Sequence, residues 1–169
     1  EITINIKEGE PVILTELSLE YEGDLSEDTK KEIEKAVPLK VDKNFSPNGY
    51  QQTKGAITEI LSNEGYPKAE IEGEALVNRK EKWAKATFVV KPGSIYRFGA
   101  VVVEGNEQVE SYIISREAVF KQGEEYSLTK INETQANIFQ LGLFRSVVID
   151  PVYNEAEKTA DMKIVVKER

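Results

Sequence analysis

The chain contains no cysteine and no histidine, and these two absences exclude much of the common chemistry of protein sites. Without cysteine there is neither a disulfide framework nor a thiolate nucleophile. The redox compartment stays open, because a cysteine-free chain suits a reducing cytosol and an oxidising periplasm alike. Without histidine, Ser–His and Cys–His nucleophilic schemes are gone, leaving only uncommon Ser–Lys or carboxylate arrangements. No Walker loop or dinucleotide fingerprint occurs, and glycines such as Gly93, Gly99 and Gly105 read as turns and strand punctuation. No apolar run approaches the ~18 residues of a membrane-spanning helix. Basic residues are outnumbered 22 to 30, for a net charge of −8. With no basic stripe in either half, nucleic acid is not an expected partner, nor is an anionic lipid surface. Acidic pairs such as Glu20/Glu22 and Glu124/Glu125 match no calcium loop, and adjacent carboxylates on a solvated strand or turn are commonplace. No catalytic residue, metal site or cofactor is expected.

What is present is repetition. Residues 2–9 read ITINIKEG, residues 86–93 read ATFVVKPG and residues 162–168 read MKIVVKE. Each is an alternating apolar run ending on a lysine, at Lys7, Lys91 and Lys167. Self-similarity at a period of about 80 residues means tandem modules. The expected organisation is residues 1–9 as the last strand of a truncated preceding module, then modules over 10–92 and 93–169. On this reading the chain is a piece of a longer protein. A hydrophobic share of 40% and a charged share of 31% suit globular domains, and units of this size sit near the lower limit for an independent core.

Both modules read in the order strand, helix, helix, strand, strand. In the first, Leu17, Leu19 and Tyr21 alternate toward a turn at Gly23. Ser26 is an N-cap followed by Glu27 and Asp28, and Ile33, Ala36 and Val37 lie on one face of a helix that stops before Pro38. Ser46-Pro47 opens a second helix, which carries Tyr50, Ile57, Ile60 and Leu61 and ends at Gly65. Strands over Ala69–Val77 and Ala84–Val90 flank a charged turn, Asn78 to Lys82. The second module repeats this with a strand from Tyr96 to Val103 and a helix marked by Val109, Tyr112, Ile113 and Val119 or Phe120. Ser127 then caps a helix carrying Ile131, Ile138 and Leu141 that Gly142 ends. A hairpin of Val147 and Ile149 with Met162, Ile164 and Val166 closes the module.

Pro151 falls within the second strand of the second module, and proline is tolerated in sheets at edges or bulges. The second strand is therefore an edge and the last strand central. The fold class is α+β: two tandem β-α-α-β-β modules, each a three-stranded mixed sheet of order 1-3-2 with two helices on one face. Two readings of that edge stay open. Pro151 or a neighbouring module protects it, or it recruits an extended partner through backbone hydrogen bonds. Tyr66 and Phe144, after the helix-ending glycines, read as cover for the helix–sheet junction. Trp83 is either an interface anchor or a cross-strand contact. The sequon Asn132-Glu133-Thr134 falls mid-helix.

Lys91-Pro92-Gly93-Ser94-Ile95-Tyr96-Arg97-Phe98-Gly99, Val103-Glu104-Gly105-Asn106 and Leu141-Gly142-Leu143-Phe144-Arg145-Ser146-Val147 together resemble tandem POTRA domains of the outer-membrane assembly-factor family. The first module matches through Lys7-Glu8-Gly9-Glu10-Pro11 and Leu61…Gly65-Tyr66-Pro67-Lys68-Ala69, and departs at Gly23, which no asparagine follows. The pair looks most like the two domains preceding the barrel of a TamA-like protein. The resemblance implies a periplasmic segment of a Gram-negative outer-membrane protein, N-terminal to a membrane barrel. It implies unfolded outer-membrane or autotransporter polypeptides and accessory assembly subunits as partners. It gives weight to strand addition, with contact residues Ala69, Ile71, Glu72, Ala75 and Val77, and Val147, Ile149, Asp150, Val152 and Tyr153, acting mainly through their backbone. The alternatives are the paired domains of a two-partner-secretion transporter, against which the extra first strand argues, and a structural spacer that binds no client.

Overall fold

A computed structural model describes residues 10–169; the expectation for residues 1–9 lies outside that range. The element order is β1 (Ile13–Tyr21), α1 (Glu27–Ala36), α2 (Pro47–Asn63), β2 (Glu70–Asn78), β3 (Trp83–Lys91), β4 (Arg97–Glu104), α3 (Ser111–Ser115), α4 (Leu128–Gln140), β5 (Phe144–Asn154) and β6 (Thr159–Glu168). Two compact units result. One comprises the described residues through Ile57 together with Glu70–Lys91, and the other comprises Thr58–Ala69 together with Pro92–Arg169.

Each unit holds one three-stranded sheet, β1-β3-β2 and β4-β6-β5. The outer pairs β1/β3 and β4/β6 are parallel, and the hairpins β2/β3 and β5/β6 are antiparallel. The order deduced from Pro151 holds: that residue sits opposite Met162 on an edge strand, where its missing N–H costs the ladder least. The last strand is central because it alternates most cleanly between the core face and the other face. Ala84, Ala86, Phe88 and Val90 line the first core, and Ala160, Met162, Ile164 and Val166 the second.

Local chemistry sets the element ends. Ser26 accepts from the Thr29 amide (3.1 Å) and Ser46 from the Gly49 amide (3.0 Å), each an N-cap bond to the third helical residue. In the second unit Phe98 is fully buried and stacks on Phe120 at 4.1 Å. Its neighbour Gly99 leaves room for the Asp161 carboxylate, which accepts from the Ala100 amide at 2.7 Å. The strand shifts register here, between Phe98 and Val101. Asn106 donates to the Val109 carbonyl (2.7 Å), and the Glu168 carboxylate accepts from the amides of Glu107, Gln108 and Val109 at 2.9–3.2 Å. Those amides hold the Glu168 carboxyl below its usual range. Lys91 links β3 to β2 and to the residue after β1: it pairs with Glu72 at 2.7 Å and Glu22 at 3.9 Å, and its pKa is raised chiefly by the Glu72 hydrogen bond.

Two readings change, the span of the second module's first helix and the packing face of α1. The first helix of the second unit is only five residues long, so Tyr112 turns outward and is 69% exposed while Ile114 takes the core position. On α1, Ala36 is exposed and Leu39, beyond Pro38, supplies the core contact instead. Trp83 is half-buried and donates from Nε1 to Glu81 (2.8 Å), a contact within its own hairpin.

Candidate functional site

Each sheet has two outer edges, and the structure treats them differently. The first strand is stitched over by the loop that precedes the second helix. In the first unit the Leu14 amide donates to Lys43 (2.9 Å), the Asp42 amide to Leu14 (2.8 Å) and the Phe45 amide to Val12 (2.8 Å). In the second the Phe98 amide donates to Glu124 (2.8 Å), the Gly123 amide to Phe98 (2.8 Å) and the Tyr126 amide to Tyr96 (3.0 Å). These loops occupy backbone groups that would otherwise offer a template for another chain. Among the described residues no such backbone bond covers β2 or β5, which are hydrogen-bonded to the central strand alone.

The ten predicted contact residues divide between these two edges. Ile71, Glu72, Ala75 and Val77 lie on β2, and Ala69 precedes it by one residue. Apart from half-buried Ile71 and Asn78, the side chains of β2 are exposed on both faces. Its middle, Gly73, runs beneath α2: a Cβ there would lie 2.4 Å from the Tyr50 hydroxyl and 2.9 Å from the Lys54 side chain. A side chain at this position would have to displace the ends of the Tyr50 and Lys54 side chains. Val147, Ile149, Asp150, Val152 and Tyr153 lie on β5. Val147 and Ile149 point their side chains inward and are nearly buried, so they meet a partner mainly through the backbone, while Val152 is 54% exposed. Tyr153 packs edge-on against Tyr96 at 5.4 Å, and its hydroxyl is 3.5 Å from that of Tyr126. Burial, followed by that contact, pushes the Tyr126 phenol well up.

Sequence reasoning missed the helix wall beside β5. Asn132, Gln135, Ala136 and Phe139 of α4 and Val147 of β5 line an open groove of about 320 Å³. The legible signal was Phe139, an aromatic one residue off the inward stripe of Ile131 and Ile138, and 49% exposed. The sequon threonine is buried: Thr134 donates to the Lys130 carbonyl (2.8 Å) and accepts from the Val119 amide (3.1 Å).

The POTRA family profile, described as surface antigen variable number repeat, matches residues 18–93 and 96–169. Among curated proteins, the outer membrane protein assembly factor BamA of Neisseria meningitidis is 25% identical over 151 residues, covering 89% of this chain and 19% of that protein. BamA of Nitratidesulfovibrio vulgaris is 23% identical over 172 residues, covering 99% of this chain and 21% of the relative. The chain thus spans about a fifth of the length of these relatives. The crystal structure of POTRA domains 3–5 of Haemophilus influenzae BamA superposes with a TM-score of 0.79 at 19% identity, over 93% of this chain and 61% of that one. BamA of Haemophilus ducreyi lacking POTRA domains 1–3 gives 0.77 at 17% identity, over 93% and 29%. At these identities the likeness is one of fold.

Proposed function

This chain belongs to the POTRA family, matched in both of its sheets, and we propose that it is part of the periplasmic region of an outer-membrane assembly protein that receives unfolded outer-membrane polypeptides by strand addition. The repeat units are 10–92 and 93–169, and the parent protein carries a membrane barrel and accessory subunits. The observation that supports this most is the asymmetry of the edges. Loops close the outer edges of β1 and β4, whereas among the described residues nothing hydrogen-bonds to the outer edges of β2 and β5.

A partner strand would hydrogen-bond to backbone groups, so it needs an extended conformation and little particular sequence. Each new bond is worth roughly 0.5–1.5 kcal/mol net, and part of the sum is spent on ordering the incoming chain. The result is weak, reversible capture, as suits a receptor that must pass its client on. Pro151 removes one donor from β5, so the competent stretch there is its first half, beside the α4 groove. β2 has no proline and offers its whole length.

The test is a titration of the isotope-labelled chain with an unfolded peptide from an outer-membrane barrel strand. Amide shifts are expected along Glu70–Asn78 and Phe144–Asp150, with β1 and β4 unmoved. Absence of shifts at both edges would leave the structural-spacer reading in place of this one.

A further inference from the structure

Residues 58–69 close α2 and lead into β2, so by repeat register they belong to the first module. Their long-range hydrogen bonds, from Asn63, Gly65 and Lys68, all go to residues of the second. We infer that they form a strap of the second folding unit, with Asn63 serving as a shared N-cap of α4.

Three anchors carry this. Helix α4 begins after Ser127, whose hydroxyl accepts from the Lys130 amide at a long 3.4 Å. The Asn63 side-chain oxygen accepts from the Thr129 amide at 2.8 Å and from the Ser127 hydroxyl at 3.2 Å. Two of the four open amides at this helix end are thus satisfied by different residues, one of them 64 positions upstream of Ser127. Next, the Gly65 carbonyl accepts from the Tyr96 amide at 2.8 Å, and Tyr96 is 1% exposed within the core of the second unit. Lastly, the Lys68 ammonium donates to Glu155, whose carboxylate also accepts from the Tyr96 hydroxyl and from Lys158 at 3.2 Å. Lys68 lies 4.9 Å from the Tyr153 ring centre, within reach of a cation–π contact.

The anchors meet the start of α4, the approach to β4 and the end of β5. The strap therefore holds the elements that frame the second sheet, and the unit 93–169 taken alone lacks one of its own helix caps. Free energy of opening should be shared within such a unit. The boundary of the sequence repeat and the boundary of the cooperative unit differ by this one segment, irrespective of whether the edges bind a client.

Amide exchange in the full chain tests this. The Tyr66 amide, bonded to Leu61 at 2.8 Å, is the reporter on the strap. Destabilising the second unit by Gly105→Ala should accelerate Tyr66 in step with Met162 and Ile164, leaving Phe88 and Val90 unchanged. Separately, Asn63→Ala should accelerate exchange at Thr129 and Lys130 about fivefold to tenfold, the scale of a lost N-cap, with Asn63→Asp restoring protection. Tyr66 exchanging with Phe88 in the Gly105→Ala chain, or Thr129 unaffected by Asn63→Ala, overturns the inference.

Discussion

Gly105→Ala is the sharpest probe of how the second unit is built. Gly105 follows β4 with φ of +82°, and a Cβ placed there would lie 2.3 Å from the Val166 carbonyl oxygen. Two costs separate. A left-handed conformation costs an L-residue about 1–2 kcal/mol, offset by about 0.4–1 kcal/mol because alanine restricts the unfolded chain. The close contact adds more, since the approach is over an ångström inside ordinary packing and the obstacle is backbone of the central strand. Relief means displacing β6 or the 105–109 loop, an overpacking cost of about 1–3 kcal/mol. The expected total is roughly 2–4 kcal/mol. Gly142 supplies the control: its φ is +74° and a Cβ there would meet nothing within 4 Å, so Gly142→Ala should cost only about 1 kcal/mol. Urea unfolding followed at the amides of Met162 and Ile164 reads the second unit, and those of Phe88 and Val90 read the first. The midpoint of the second unit should fall with its slope against urea unchanged. Equal losses for the two variants would falsify the close-approach argument.

Thr134→Val removes a fully buried hydroxyl and leaves the Val119 amide without its partner; a loss of about 1–3 kcal/mol is expected in the same unfolding assay, largely recovered by Thr134→Ser. The Glu155 carboxyl is lowered from 4.5 to about 2, first by its hydrogen bond from Lys68, then by those from Tyr96 and Lys158. Because the folded value is depressed, its contribution is complete above the unfolded pKa and fades as pH falls from about 4.5 toward 2. Stability of the native chain and of Glu155→Gln should therefore differ at pH 6 and converge near pH 2, as measured by thermal melts across that range. A constant difference would show that the carboxylate charge is not what holds the cluster.

The module architecture was legible because its causes are local and repeated. Alternation of period two, N-caps at Ser26, Ser46 and Ser127, and terminating glycines each fix an element within a few residues of chain. Pro151 carried the strand order for a similar reason: one missing donor constrains which strand can be central. Helix α3 was misread because apolar spacing over Val109–Phe120 admits a long helix as readily as a short one followed by turns. Only packing decides between them, through Ile114 entering the core and the Phe98–Phe120 stack.

That β2 and β5 lie at sheet edges was legible along the chain, but which edges the loops close was not readable there. It depends on where the loops before α2 and α4 lie, and those loops bond to β1 and β4 through backbone groups that leave no mark on side-chain pattern. The groove beside β5 likewise exists only once α4 is laid against the sheet. By itself, the sequence determined two repeated β-α-α-β-β modules, their strand order and the absence of catalytic chemistry built on histidine or cysteine, since all of these follow from composition and short-range pattern. Tertiary structure alone decided which edges the loops close and to which unit residues 58–69 belong. Both are settled by hydrogen bonds between residues up to 87 positions apart, as from Lys68 to Glu155, and pairings at such separations are set by the folded backbone rather than by any local preference.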